Sequence, residues 1–279
     1  MNPERAYPGP LGSETRLSRT STLANPPLLE PEDALILDVD GPIWESLFSS
    51  RSCGALLKTL LRHAATSLSG AAAVISGKPL AELVQALGAF SGSVAGTYGL
   101  ERHTATGAVI RSAPDPAIEP ARRLLASFAA ATPGVVLEDG KLAIALNFEA
   151  APQSRQACAA VMAEAAQMSD GRLVVRYHAA NLELHPRNAT KGVFIPEILR
   201  EPSFWGRRPV LVGDSRLCPD AFAAVRRFDG VTVAIGSGAH GGADFRLVDC
   251  GQLATWLAKS FDLDPVLAPG RPLAGFMER

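Results

Sequence analysis

The sequence predicts an α/β protein: a doubly wound parallel sheet drawn from residues 31–104 and 188–265, with a small α+β domain inserted at 105–187. Three observations predict it. Short apolar runs alternate with stretches of helical periodicity at both ends of the chain, which is the rhythm of βαβ units. Over 105–187 that rhythm gives way to paired runs joined by turn residues, one pair by Asp139-Gly140, a strong local hairpin signal. And 279 residues suffice for two modest cores, at roughly 100–200 residues per domain.

Residues 1–30 scatter Pro3, Pro8, Pro10, Pro26 and Pro27 among Ser, Thr and Arg, a mixture too poor in apolar area to offset ordering, so a disordered tail is expected there and a second one at 266–279. Ala34-Leu-Ile-Leu37 is a buried strand that stops at Asp38 and turns at Gly41. Residues 52–68 carry Leu and Ala at helical spacing. Ala71–Ile75 is a second strand, halted by Ser76-Gly77-Lys78-Pro79, and Pro79 suits the first turn of a helix continued by Leu80, Leu83, Val84 and Leu87. Ser93–Gly99 gives a short strand with a glycine-rich exit into Leu100–His103.

In the insert, residues 108–111 read as a strand, 117–131 as a helix and 134–146 as a hairpin. A helix over 153–168 and a second hairpin from 172–176 and 181–184 repeat the pattern. One strand followed by two αββ units makes a separate small domain, the natural lid over a site. The first rhythm then returns. Lys191-Gly192 opens a helix, Pro209–Val212 is a strand ending at Gly213-Asp214, 221–227 is helical, 231–235 is a strand and 252–261 a helix.

With 27 basic and 28 acidic side chains, the net charge of −1 supplies no global field for nucleic acid or an anionic membrane, so neither is expected as a partner and an anion must be caught locally. Cys53, Cys158, Cys218 and Cys250 lack metal-like spacing and fit a reduced cytosol. No leader and no long apolar run is seen, which predicts a cytoplasmic protein. Nothing fixes the number of subunits, and a monomer is compatible.

Asp38 and Asp40, one residue apart at a strand end, point to one side while Val39 points into the core. Such a pair can hold a hard cation and divide nucleophile and acid/base roles; a solvated acidic turn is the plain alternative. Ser76 and Asp214 end two further strands, and Lys191 starts a helix. Together they suit phosphoryl transfer, whose transition state spreads negative charge and needs a cation, an ammonium and hydroxyl or backbone donors around it. Asp38 and Asp214, with a carbonyl near Asp40, supply oxygen ligands for Mg²⁺.

In this order Asp38-x-Asp40-Gly41, Ser76-Gly77, Lys191 and Gly213-Asp214 resemble the four motifs of the haloacid dehalogenase (HAD)-like phosphatases. More narrowly, Val74–Leu80, Ala95–Arg102, Glu183–Gly192 and Val231–Ala239 are similar to stretches of the trehalose-6-phosphate phosphatase family, over most of residues 33–260. The resemblance implies that Asp38 attacks phosphorus to give an aspartyl-phosphate and that Asp40 protonates the leaving sugar oxygen and then activates water. It implies that Lys191 and Ser76 hold the phosphoryl group, and that Asp38, Asp40 and Asp214 bind Mg²⁺. The phosphorylated sugar, trehalose 6-phosphate first among such substrates, would meet Gly77, Lys78, Glu101 and Arg102 of the core. From the insert it would meet Glu138, Lys141, Glu183 and Arg187.

The chain also departs from the family. Ser215, Cys218 and Pro219 stand where the fourth motif has carboxylates, and Cys218 is soft where Mg²⁺ is hard. Asp220 either compensates or starts a helix. Pro42 replaces a Thr, Tyr98 a His, Lys141 is displaced by one place, and Asn147-Phe148-Glu149 replaces His-Tyr-Arg. These changes leave three readings beside trehalose 6-phosphate: a trehalose-like pseudo-disaccharide phosphate of an aminocyclitol pathway, a catalytically weakened sugar-phosphate-binding protein, or a phosphomutase. Arg102 and Arg187 suit anion or sugar contacts, Trp44 is a wall of the site or part of the core, and His63, His103, His178, His185 and His240 are expected to be structural or solvated.

Overall fold

A computed structural model describes residues 25–263 apart from 50 and 237–241, with the side chains of 48, 49 and 51–53 also left undescribed. The expected tail over 266–279, the first 24 residues of the other tail, the last residues of the expected core, His240 and the Cys53 side chain lie outside the described residues. The chain falls into two compact units, residues 1–110 with 191–279 and residues 111–190.

The first unit is built on eight strands. In chain order its elements are β1 (Asp33–Asp38), α1 (Pro42–Ser49), α2 (Arg51–Ser67), β2 (Ala72–Ile75), α3 (Leu80–Leu87), β3 (Ser93–Gly96), β4 (Glu101–His103) and β5 (Val109–Arg111). The second unit adds α4 (Ile118–Ala131), β6 (Val136–Asp139), β7 (Ile144–Asn147), α5 (Arg155–Gln167), β8 (Leu173–Tyr177) and β9 (Asn181–Pro186). The chain then completes the first with α6 (Lys191–Ile198), β10 (Arg208–Gly213), α7 (Pro219–Arg226), β11 (Val231–Ile235), β12 (Phe245–Leu247) and α8 (Cys250–Ser260).

The large sheet has the order β12-β11-β10-β1-β2-β3-β4-β5, with β12 to β3 parallel and β4 turned antiparallel to β3. Strand β1 lies between β10 and β2, so chain connections leave it in opposite directions and its carboxyl end opens a crevice. All six residues of β1 are buried, as a strand covered on both faces requires. At the start of the strand Asp33, opposite Arg208 on β10, accepts from the guanidinium at 2.7 and 3.1 Å.

Residues 25–30 correct the expected tail. Pro26 and Leu29 are buried, the Trp256 indole N–H on α8 donates to the Pro27 carbonyl at 2.9 Å, and the Leu29 N–H donates to Ser260 Oγ at 3.1 Å. A buried indole needs an acceptor, and this prolyl segment supplies it. A second correction concerns residues 109–111, read as part of the insert: they form the outermost strand of the large sheet, with Val109 and Ile110 exposed. Helix α1 (8 residues) and strand β12 (3 residues) were not anticipated; α1 begins at a proline directly after the Asp40-Gly41 turn, which reads locally as a loop.

The second unit is a four-stranded antiparallel sheet of order β6-β7-β9-β8. One face of it packs on α4 and α5: Ile144, Leu146, Leu182 and Leu184 share a core with Ile118, Leu125, Cys158 and Met162. This core is separate from that of the first unit. Leu125 is fully buried in it, so Leu125→Ala is expected to cost about 2–5 kcal/mol. Hydrogen exchange should show the loss of protection in residues 111–190 while amides of β1 and β10 stay protected.

Candidate active site

Asp38 stands at the carboxyl end of β1, paired in register with Ile75, so Ser76 follows directly on the neighbouring strand. On the other side Leu37 pairs with Val212, which brings Gly213 beside Asp38 and Asp214 just beyond. Gly213 has to be glycine, because a Cβ there would lie 2.8 Å from Asp38 Cβ. The three strand ends thus deliver Asp38, Ser76 and Asp214 to one crevice, and all three side chains are buried.

Lys191 ties Asp38 to Asp40. Its ammonium, 3% exposed, donates to both oxygens of Asp38 at 2.7 and 2.8 Å and to Asp40 Oδ2 at 2.6 Å. Asp40 also accepts from the Ser76 hydroxyl on Oδ1 and from the Gly77 N–H at 3.0 Å on Oδ2. Burial would lower the pKa of Lys191, but the carboxylates of Asp38 and Asp40 outweigh it and hold the ammonium well above its usual range. At Asp40 burial raises the pKa, yet Lys191 and the donors Ser76 and Gly77 N–H bring it below the ordinary value. At Asp38 burial wins over Lys191 and the carboxyl is raised.

Asp220 answers the question left by the sequence. Its carboxylate accepts from the Gly192 N–H at 2.7 Å, at the start of α6, and Gly192 must lack a side chain because a Cβ would lie 2.6 Å from the Asp220 carbonyl. Asp220 therefore anchors the turn that presents Lys191, at the start of α7, which is the helix-start role the sequence allowed. Cys218, fully buried, donates its thiol to the Asp214 carbonyl at 3.2 Å and reaches the Asp38 carboxylate, and burial pushes its pKa up.

The Ser76 loop is held from below. The Thr97 N–H donates to the Lys78 carbonyl at 2.8 Å and the Tyr98 N–H to the Ser76 carbonyl at 3.1 Å. Thr97 and Tyr98 adopt φ of 49° and 55°, a region that disfavours side chains and marks a backbone held in place by its surroundings. The Tyr98 ring fills the space over Gly77, where a Cβ would lie 2.6 Å from Cζ. Neither residue's part was legible beforehand, since Tyr98 read only as a replacement for histidine.

The remaining expected residues divide between the two units. In the first, the Lys78 ammonium lies 4.6 Å from the centroid of the Trp44 ring, and Glu101 accepts from Thr97 Oγ1 at 3.4 Å. Arg102 pairs with Glu197 at 3.0 Å and lies over Phe194. In the second, Glu138, Ala145, Glu183 and Arg176 are successive register partners across β6, β7, β9 and β8, which places them on one face of the sheet, opposite the apolar core. Glu138 accepts from Asn147 at 2.8 Å. Lys141 is exposed beyond β6, outside that row, and Arg187 donates to the Gly171 carbonyl at 2.6 Å. Arg176, which donates to Nε2 of the buried His185 at 2.7 Å, escaped the sequence reading. Only the strand register, absent from a one-dimensional pattern, sets it opposite Glu183.

For magnesium the donor chemistry fits in kind. The Asp38 and Asp214 carboxylates and the Asp40 carbonyl are hard oxygen donors at adjoining strand ends. The Asp40 carboxylate is engaged by Lys191, Ser76 and Gly77, and among the described residues no group of three His, Cys, Asp or Glu side chains converges as metal ligands do. No helix of the described residues is long and apolar enough to cross a membrane.

A doubly wound sheet with paired aspartates after its central strand, and a lysine from a later helix, defines the class: the fold is that of the HAD-like hydrolases. One such hydrolase from Bacteroides thetaiotaomicron superposes with a TM-score of 0.60 at 15% identity, covering 81% of this chain and 98% of that one. The C-terminal domain of the Candida albicans trehalose-6-phosphate phosphatase does so with a TM-score of 0.63 at 17% identity, covering 83% and 92%. The chain belongs to the trehalose-phosphatase family, whose pattern matches residues 36–247. It is 30% identical over 241 residues to the trehalose-6-phosphate phosphatase of Escherichia coli K12, covering 85% of this chain and 90% of the relative.

Two outcomes test this geometry. Lys191→Ala leaves two buried carboxylates facing each other, so urea unfolding should show a loss of about 3–5 kcal/mol. Gly77→Ala should destabilise by about 1–3 kcal/mol through overpacking against Tyr98. In a double-mutant cycle with Tyr98→Ala the two losses should be less than additive, as removal of the ring makes room.

Proposed function

We propose that this chain hydrolyses the phosphate monoester of a phosphorylated disaccharide, trehalose 6-phosphate foremost, through a covalent intermediate on Asp38. The observation that carries the reading is the Lys191 ammonium set between Asp38 and Asp40 with the Ser76 hydroxyl on the far side of Asp40. An incoming phosphoryl group finds there a buried carboxylate nucleophile, an ammonium and a hydroxyl, the charge-stabilising set that such a transfer needs.

The reaction runs in two balanced steps. An oxygen of Asp38 attacks phosphorus, the bond from phosphorus to the sugar oxygen breaks, and Asp40 gives its proton to the departing oxygen. Asp40 then takes a proton from water, the water oxygen attacks phosphorus, and the bond to Asp38 breaks to release inorganic phosphate. The first step needs Asp38 ionised and Asp40 protonated, whereas in the free protein burial raises the Asp38 pKa and, against burial, Lys191 and Ser76 lower that of Asp40. Binding reverses this. An anionic phosphoryl group draws Lys191 and Ser76 toward itself, and with those donors withdrawn from Asp40 its pKa rises, which prepares it as the acid. Magnesium held by Asp38, Asp214 and the Asp40 carbonyl would supply the positive charge that keeps Asp38 ionised despite its burial.

We place the sugar contacts on Glu138, Glu183 and Arg187, with Lys141 and, from the core, Gly77, Lys78, Glu101 and Arg102 as the wider set. Arg176, in register with Glu183, joins this proposed set. The side chain of Asn147 holds Glu138, and Asn147 is a position where the chain departs from its family. That contact favours, as a second reading, a pseudo-disaccharide phosphate whose hydroxyl pattern differs from that of trehalose.

Phosphate release from a panel of phosphosugars should peak with trehalose 6-phosphate, fall to background on chelation of magnesium, and drop by about a thousandfold or more in Asp38→Asn. A pseudo-disaccharide phosphate outpacing trehalose 6-phosphate would move the assignment to the second reading. Isomerised sugar phosphate would indicate a mutase, and binding without release a regulatory protein.

A further inference from the structure

The fourth motif carries a cation of its own. Arg216 donates to Asp214 three times: from its backbone N–H to Oδ1 at 2.9 Å, from Nε to Oδ1 at 3.0 Å and from Nη2 to Oδ2 at 2.7 Å. The carboxylate it grips is 4% exposed while the Arg216 side chain is 58% exposed, so the fork reaches in from solvent onto a buried anion. The hydrogen bonds from Arg216 are what hold the Asp214 carboxyl below its ordinary range.

The neighbouring positions offer no replacement. Ser215 and Pro219 are not acidic, Cys218 donates its thiol to the Asp214 carbonyl, and Asp220 is engaged at the start of the lysine helix by the Gly192 N–H. Asp214 is the carboxylate of this motif that follows the strand end beside Asp38, and both of its oxygens are already met by a guanidinium. We propose that Arg216 is a tethered counter-cation at the metal subsite: a divalent cation binds Asp214 in competition with the Arg216 fork, which lowers its affinity so that occupancy needs a higher magnesium concentration. This rests on the metal-assisted reading above.

Arg216 is exposed and leaves no cavity behind, but its loss strips the counter-charge from the buried Asp214, so Arg216→Ala should unfold at a somewhat lower temperature than the parent while remaining folded where binding is measured. The exchange is an ion pair against an ion pair, near the surface, so the effect is modest and depends on salt.

The test is calorimetric titration of magnesium chloride into the full-length protein without substrate, with thermal unfolding confirming that each variant is folded. Arg216→Ala should bind magnesium about three- to fivefold more tightly than the parent, and the difference should shrink as ionic strength rises. Arg216→Lys, which keeps a charge but loses the two-pronged grip, should fall between them. Equal or weaker binding by Arg216→Ala overturns the proposal, as does the absence of magnesium binding in both proteins. Neither result touches phosphate release from sugar phosphates, which separately decides the hydrolase reading. A rise in KM for the phosphosugar with metal affinity unchanged would also overturn it, by making Arg216 a contact of the substrate.

Discussion

Two carboxylates separated by one residue repel each other, and burying them makes the repulsion worse. The Lys191 ammonium, in contact with both, is what allows Asp38 and Asp40 to share a closed site. Much of the first unit is arranged around that contact. Gly192 and Asp220 set the helix start from which Lys191 extends, Gly213 lets β10 lie close enough to β1, and the Ser76 loop presses its hydroxyl and the Gly77 N–H onto the far edge of Asp40. On the reading proposed above, an arriving phosphoryl group unbalances this triad, since the same ammonium cannot serve three anions equally, and affinity for an anion and readiness of Asp40 as the acid become one property.

How much of this could be read from the chain depended on the range of the interaction. Strands such as Ala34–Leu37 and Ala72–Ile75, buried on both faces, announce themselves as unbroken apolar runs, and Asp139-Gly140 announces a hairpin. Asp38, Asp40, Ser76, Lys191 and Asp214 were legible because each ends a strand or starts a helix, where polar groups can face a ligand. The partners of these residues were not. Asp220 looked equally suited to a cation or to a helix start until its acceptor role toward Gly192 was seen, and Arg176 acquires a place only through register with Glu183. The segment 25–30 was misread for a similar reason: its prolines lower local propensity, but an indole more than two hundred residues away needed its carbonyl.

The fourth motif holds the main chemical departure. Where the family pattern gathers several acids, this chain keeps Asp214, adds Arg216 and places a thiol against Asp38. Each change takes negative charge out of the crevice or adds positive charge to it. Asp38, Asp40 and the Lys191 ammonium remain in contact while the electrostatic setting around them is altered.

The two cores have a further consequence. Leu125, Leu146 and Leu184 stabilise residues 111–190 without help from the leucines and valines beneath Asp38. The polar row of Glu138, Glu183 and Arg176 lies on the face of its sheet that carries no share of that packing. Apart from Arg176, which holds the buried His185, the residues of that row owe little to the apolar core, so substitution there costs less folding stability than substitution beneath it. Descendants of such a chain can therefore change what the row touches without a matching loss of the fold.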